Sequence, residues 1–178
     1  MRLFHFSDES TIEVFMPRPV PGLHGLDEPQ VWAIDDWHQA MYLFPHDCPR
    51  IFVWPVETTT PEYLTAYRKM TSCRMVAHIE LGWLDRLARS SVYRYELASD
   101  GFQPFGGSGM WASSQPTMPV NVERIDNIEK ALTEAGVELR VLPSLKTLEP
   151  LWETSLQVTG IALDHAKDGP IKSARLVN

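Results

Sequence analysis

The stretch RLFHFS, residues 2–7, gives the first indication of the fold class, because its alternating pattern is typical of a β-strand. Side chains on a strand point to opposite faces in turn, so Leu3, His5 and Ser7 share one face and the two phenylalanines share the other. A second strand-like run, QVWAI, follows at residues 30–34. These two short strands predict a β-sheet that includes the first part of the chain.

Short strands and short helices alternate irregularly along the rest of the sequence. Strands are predicted at residues 50–55, 91–97 and 138–142, and over 110–124 with bends at Pro116 and Pro119. Helices are predicted after Asp35 or Asp36, from Pro61 with Thr60 as its N-cap, over 79–89, over 125–135 before Gly136, and from Leu145 onward, while residues 16–29 form a long loop. This pattern predicts one α+β domain spanning residues 1–178, rather than a doubly wound parallel sheet.

Two of the predicted helices carry an apolar stripe. Trp37, Met41 and Phe44 recur at helical spacing and are expected to face the core. In the helix over residues 79–89, the stripe consists of Leu81, Leu84 and Ala88.

Composition and charge exclude several functional classes. The chain has 178 residues with 44% apolar side chains, enough for one well-packed core. A formal charge of −7 argues against broad nucleic-acid binding, which requires a basic surface. No apolar run approaches the roughly 20 residues of a membrane span, and no signal peptide is evident. Cys48 and Cys73 form no disulfide framework, so we expect free thiols in a soluble, cytoplasmic protein.

The pair His5-x-Ser7 is the first candidate site. Its period of two places an imidazole and a hydroxyl side by side on one strand face, where both groups can hydrogen-bond a ribose. The alternative is a histidine satisfied by the backbone at the edge of the core, with Ser7 opening a turn. Residue types alone favour that alternative.

The segment from Trp32 to Tyr42 is the second candidate. It combines an aromatic residue in a strand, an acidic helix cap and a tyrosine in the following helix, and this arrangement can stack a flat ring. The alternative is again structural, because aromatic side chains at this spacing are usually core residues. Trp37 is predicted to be one.

Metal and phosphate-loop motifs are not evident. Asp36-x-His38 and His46-x-Cys48 match no established metal-ligand spacing, so no metal site is predicted. The glycine-rich stretch at residues 106–109 lacks the lysine and helix of a phosphate-binding loop.

Five short stretches show a resemblance to a known family. The segments LFHFS, VWAID, YLFP, YRYE and WAS resemble the conserved stretches of an uncharacterised bacterial family of unknown function. This resemblance runs roughly from end to end of the chain. It implies no activity.

A more distant resemblance is to the ADP-ribosyltransferase-like fold, in its histidine–tyrosine–glutamate branch. His5-x-Ser7 resembles the first motif of that branch, Trp32, Asp35 and Tyr42 resemble the second, and Gln115 stands where the third has its catalytic glutamate. The resemblance implies a split mixed or antiparallel β-sheet with inserted helices. It also implies an NAD cleft, with His5 and Ser7 on the ribose and Trp32 and Tyr42 on the base.

The replacement of the family's glutamate by Gln115 leads to three functional hypotheses. In the family, the glutamate stabilises the positive charge that develops on the ribose carbon, and an amide carries no charge to do so. The first hypothesis is an enzyme acting on NAD or another nucleotide through His5 and Gln115. The second is a non-catalytic binding or protein-interaction domain. The third is a structural domain in which the histidine and tryptophans are core residues.

Overall fold

The computed structural model describes residues 1–19, 28–169 and 171. These residues form two compact units, each with its own β-sheet. Within the described ranges, the first unit is built from residues 1–42 and 91–125, and the second from residues 43–90 and 126–171. The expectation of a single domain stays a prediction, and part of the predicted loop over 16–29 lies outside the described residues.

The elements confirm the α+β class. In the described residues the strands are β1 (Leu3–Ser7), β2 (Val31–Asp35), β3 (Arg50–Trp54), β4 (Met75–Glu80), β5 (Val92–Leu97), β6 (Gln103–Pro104), β7 (Met110–Ser113), β8 (Pro119–Ile125), β9 (Val137–Leu142) and β10 (Gln157–Ile161). The α-helices are α1 (Pro61–Met70), α2 (Leu84–Arg89) and α3 (Ile128–Glu134). Shorter 3-10 helices span Gln39–Tyr42, Leu81–Trp83, Leu145–Glu153 and Leu163–His165.

The first unit is an antiparallel sheet of six strands in the order β6-β7-β2-β1-β5-β8. Register pairs Leu3 with Leu97 and His5 with Tyr95, so these residues share one face, as the alternation in β1 predicts. That face is apolar and forms the core of the unit, packed against Phe15. Among the described residues β8 pairs with β5 alone, so it is an edge strand of this sheet.

The second unit is a mixed sheet in the order β10-β3-β4-β9. β4 is central, and all six residues of MVAHIE are buried, as expected of a strand covered on both faces. β4 pairs in parallel with β9, starting from Met75 opposite Val137, whereas the other pairs are antiparallel. A connection of more than fifty residues joins these two parallel strands.

A glutamate and a histidine are among the buried side chains of the second unit. Glu80 accepts hydrogen bonds from the main-chain amides of Leu145 at 3.1 Å and Lys167 at 3.0 Å. His78 is 4% exposed, and its Nδ1–H donates to the carbonyl of Ile51 at 3.2 Å. Burial lowers the pKa of His78 to about 4, because an imidazolium would lose its hydration, although the carbonyl opposes this effect. The carboxylate and the neutral imidazole therefore serve the packing of this unit.

Several sequence predictions were wrong in detail. The helix predicted over 79–89 begins only at Leu84, because residues 79–80 complete the buried strand β4. Its predicted apolar stripe is also wrong, since Leu81 is 62% exposed and Leu87 is the buried residue of the helix. Trp37, expected in the core, is 43% exposed, because a short 3-10 helix replaces the predicted α-helix and turns its ring outward.

Candidate functional site

β1 and β2 separate in the middle of the first sheet. They pair only at Leu3 with Asp35 and Phe4 with Ile34. Beyond these pairs β1 continues along β5 as far as Ser7, and β2 is paired with β7 from Val31. Main-chain pairing between these two neighbouring strands therefore ends before His5, and we call this stretch without register pairs the opening.

His5 spans the opening with its side chain. Its Nδ1 lies 2.8 Å from the carbonyl oxygen of Trp32 on β2. A carbonyl accepts only, so Nδ1 carries the proton and Nε2 of a neutral ring is an acceptor. The imidazole is half-buried and packs against the ring of Phe15, with the ring centroids 4.6 Å apart. The ring is thus fixed in orientation and in tautomer.

Ser7 lies on the same face as His5, at the end of β1. Its Oγ accepts a hydrogen bond from the main-chain amide of Glu9 at 3.1 Å, which closes a turn. This turn agrees with the alternative interpretation of the sequence, in which Ser7 opens a turn. The period of two correctly placed the imidazole and the hydroxyl on one face.

Trp32 and Tyr42 lie on the opposite face of the sheet. Phe4 pairs with Ile34, so Trp32, two residues before Ile34, shares the face of Phe4. The Tyr42 ring stacks on Phe6 with centroids 6.4 Å apart, and Phe6 belongs to that face as well. The four predicted ligand-binding side chains are therefore divided between two faces, two on each.

The aromatic pair has further contacts. The Trp32 ring meets Phe105 edge-on at 5.1 Å, and its Nε1–H is buried without an acceptor among the described residues. The Tyr42 hydroxyl donates to the sulfur of Met110 at 3.3 Å. Met110 begins β7, next to β2. Hence the group that faces the tyrosine hydroxyl from β7 is a thioether, which carries no charge.

Gln115 lies in the exposed turn between β7 and β8. Its main-chain amide donates to Ser113 Oγ at 3.2 Å, and its carbonyl accepts from the Thr117 hydroxyl at 3.2 Å. Thr117 forms a bridge with Phe15, whose ring contacts His5. Gln115 is thus connected to His5 through two intervening residues, while its side chain belongs to a surface turn.

The glutamates of β5 and β8 are engaged in ion pairs. Glu96 on β5 receives two hydrogen bonds of 2.9 Å from the guanidinium of Arg2, which lowers the pKa of the carboxyl. Glu123 on β8 pairs with Arg94, which also donates to Gln39. Both carboxylates therefore already face an arginine.

Sequence reasoning missed a second histidine in this unit. Asp35 Oδ1 accepts both the main-chain amide and Nδ1–H of His38, each at 2.8 Å. The amide of Asp35 itself donates to the carbonyl of Gly109 at 2.9 Å. An Asp three residues before a His at a helix start is a capping signal that the sequence offers. The pair joins β2, the 3-10 helix and the glycine-rich turn into one corner.

Metal ligands do not cluster in the described part of the chain: no three His, Cys, Asp or Glu residues there are arranged to hold an ion. The two cysteines are both free, and Cys48 is fully buried. No helix in the described ranges combines the length and apolar character needed to cross a bilayer.

These features define an α+β protein with one antiparallel and one mixed sheet, and with an oriented histidine at an opening in the first. The chain matches Family of unknown function (DUF6886) over residues 4–166 and belongs to that family. This confirms the resemblance to an uncharacterised family that the short motifs indicated. No curated protein and no solved structure matches the chain significantly.

Proposed function

We propose that the first unit binds a nucleoside or nucleotide where β1 and β2 separate, and that it does so without efficient turnover. The observation that carries this proposal is the hydrogen bond from His5 to the Trp32 carbonyl, just beyond the last register pair between β1 and β2. A side chain oriented by the main chain, at an opening between strands, is a typical element of a binding site.

The chemistry of the opening suits a ribose and a base. With Nδ1 donating to the Trp32 carbonyl, the His5 imidazole is held on the same face as the Ser7 hydroxyl, and a ribose placed there would meet both groups. Trp32 and Tyr42 offer aromatic surface on the other face, where the buried Trp32 Nε1–H finds no acceptor among the described residues. A ligand that enters the opening contacts both faces of the sheet, whereas a ligand that lies on a closed sheet contacts only one face.

The same features support an ADP-ribosyltransferase-like fold. The resemblance implies a split sheet with a histidine on its first strand, and the early end of β1–β2 pairing at His5 is consistent with such a split. We propose this fold for the chain, with NAD as a ligand. NAD cleavage is the activity that the resemblance implies.

Turnover is expected to be poor. Gln115 is uncharged and exposed, and Met110 faces Tyr42 with a thioether. Glu96 and Glu123 are each neutralised by an arginine. No carboxylate among these groups is available to stabilise an oxocarbenium-like transition state, a loss that typically lowers rates by orders of magnitude.

Charge defines the ligand further. Residues 1–42 and 91–125 contain ten acidic side chains and four arginines, a net formal charge of −6. Such a surface disfavours the two phosphates of NAD. We therefore expect nicotinamide riboside, a cation of the same family of compounds, to bind more tightly than NAD.

Isothermal titration calorimetry with nicotinamide riboside and with NAD tests the proposal. His5→Ala should weaken binding about tenfold, the value of one hydrogen bond between ligand and protein. His46→Ala removes an exposed imidazole from the second unit and should leave the affinity unchanged. The proposal would be contradicted if neither ligand binds, or if His5→Ala binds with unchanged affinity.

A further inference from the structure

The indole of Trp32 contains a hydrogen-bond donor that no acceptor in the described residues satisfies. Its Nε1 is buried without a partner, although the residue as a whole is partly exposed. Buried N–H groups in folded proteins are nearly always paired, because an unpaired one loses its hydration without compensation. The hydrogen bond from His5 to the main-chain carbonyl of Trp32 does not explain this side-chain donor.

The main chain of Trp32 is fixed on both sides of β2. Trp32 is in register with Ala112 on β7, and its carbonyl accepts the hydrogen bond from His5 across the opening at 2.8 Å. The neighbour on β7 is thus a methyl group, which takes up little of the space beside the indole. The donor therefore has a defined position on the face of the sheet that lies opposite His5.

Phe105 is the ring that lies against the indole. The two rings meet nearly edge-on, with their centroids 5.1 Å apart and their planes at 76°. Phe105 directly follows β6, a strand of two residues that pairs only with β7 in the described part of the chain. Its amide donates to the carbonyl of Met110 at 2.9 Å. Phe105 is thus attached to a short edge strand, whereas Trp32 belongs to an inner strand of the sheet.

The chain beside Phe105 leaves room for its ring to move. Gly106 and Gly107 follow it, and a Cβ at either position would have no atom within 4 Å. Phe105 is itself partly exposed. Rotation about its Cα–Cβ bond can therefore carry the phenyl ring away from the indole, a motion that exposed side chains make rapidly.

The donor determines which part of a ligand it can bind. An indole N–H donates only, so its partner is an oxygen or an unprotonated nitrogen. A carboxylate is disfavoured, because the unit has a net formal charge of −6. The neutral carbonyl oxygen at the edge of a base, such as that of the nicotinamide carboxamide, meets both conditions.

We infer that Trp32 Nε1–H binds the carbonyl oxygen of the ligand's base, and that Phe105 is a gate residue that covers this donor in the free protein. When the ligand binds, the phenyl ring moves off the indole, the base takes its place against Trp32, and the donor is satisfied. Trp32 then selects bases that carry a carbonyl acceptor, which stacking alone does not do. This inference rests on the nucleoside binding proposed above.

NMR of the protein with nitrogen-15-labelled tryptophan tests both parts. The Trp32 indole signal is assigned in the wild-type protein from sequential connectivities, so the measurement does not require a variant that folds. Saturating nicotinamide riboside should move this signal downfield, as a new hydrogen bond does. In Phe105→Ala without ligand, the Trp32 Nε1–H should exchange with water at least about tenfold faster than in wild type. Trp152, whose Nε1 is also buried without an acceptor but belongs to the second unit, should change in neither experiment.

Calorimetry with two ligands tests the selection of the carbonyl group. Trp32→Phe should weaken binding of nicotinamide riboside about tenfold, the value of one hydrogen bond. It should leave unchanged the binding of ribosylpyridinium, the same cation without the carboxamide. Trp83→Phe, at a partly exposed position of the second unit, should affect neither ligand. Phe105→Ala should bind nicotinamide riboside more tightly than wild type, because no ring contact has to be broken.

The outcomes separate this inference from the proposed function. If nicotinamide riboside binds but the Trp32 signal does not move downfield, or if Trp32→Phe weakens both ligands equally, the inference is wrong and the nucleoside site remains. If Phe105→Ala neither accelerates exchange of the Trp32 Nε1–H nor tightens binding, Phe105 is not a gate. If neither nicotinamide riboside nor NAD binds, the proposed function and the inference both fail.

Discussion

Nδ1 of His5 and the carbonyl oxygen of Trp32 lie 2.8 Å apart at the residue where β1 and β2 cease to pair. The contact takes the place of the next main-chain pairing between the strands. It fixes the orientation of the imidazole and its tautomer, with Nδ1 carrying the proton.

Gln115→Glu tests whether a missing charge limits turnover. We expect nicotinamide release from NAD to rise about tenfold, less than for a carboxylate in a dry site, because residue 115 is exposed to water. Gln103→Glu adds the same charge at another exposed position of the same unit and should have no effect. The assay is chromatography of free nicotinamide. Equal release by both variants would contradict this explanation of low turnover.

Gly109→Ala should destabilise the corner that contains Asp35 and His38. Gly109 has φ +75°, and a Cβ there would overlap the His38 ring and lie 2.7 Å from Asp35 Oδ2. We expect a loss of at least about 2 kcal/mol in the free energy of unfolding. Gly106→Ala, with φ +58° and open space around it, isolates the backbone cost and should lose only about 1 kcal/mol. Urea denaturation measures both, and equal losses would show that the contact with His38 is unimportant.

His78 should make stability depend on pH. Its folded pKa of about 4 lies below the ordinary value of 6.5, so between these values the unfolded chain binds the extra proton. The free energy of unfolding therefore falls as pH decreases through this window, by about 2 kcal/mol between pH 7 and 4.5.

His78→Gln keeps a donor for the Ile51 carbonyl but removes the titration. Urea denaturation at the two pH values should show that the variant loses less stability than wild type. An identical pH dependence in the two proteins would assign the effect to other groups.

The two cysteines should differ in reactivity. Cys48 is 0% exposed, and burial raises the pKa of its thiol to about 11, whereas Cys73 is partly exposed. With Ellman's reagent near neutral pH, the native protein should release one equivalent rapidly and a second only in denaturant. Cys73→Ser should abolish the rapid phase. Retention of that phase would contradict the assigned burial.

The alternation of side chains predicted much of the first sheet. RLFHFS and QVWAI predicted β1 and β2 almost to the residue, because both are short runs of strand-forming residues with a visible alternation. The strands of the second sheet were harder to predict from the sequence. MVAHIE is buried on both faces and has no alternation, and QVTGI is a short edge strand with a glycine, so neither β4 nor β10 was predicted.

The candidate site was predictable only in part. The spacing of His5 and Ser7 determines that they share a face, since this is a local property of one strand. The separation of Trp32 from them depends on register between strands, which no local pattern reveals. Asp35 with His38 was accessible from the sequence as a cap, but only the fold brings Gly109 against it.

Each unit is built from segments that are separated in the sequence by a segment of the other unit. This arrangement affects how the protein folds during synthesis. β1 cannot complete its sheet until the ribosome has released β5, and β4 must wait for β9, which is made after β5 to β8. Neither half of the polypeptide contains a full set of partners, so a truncated product would expose unpaired strand edges to chaperones and proteases. We therefore expect that a fragment expressed alone does not fold, whereas complementary fragments expressed together do.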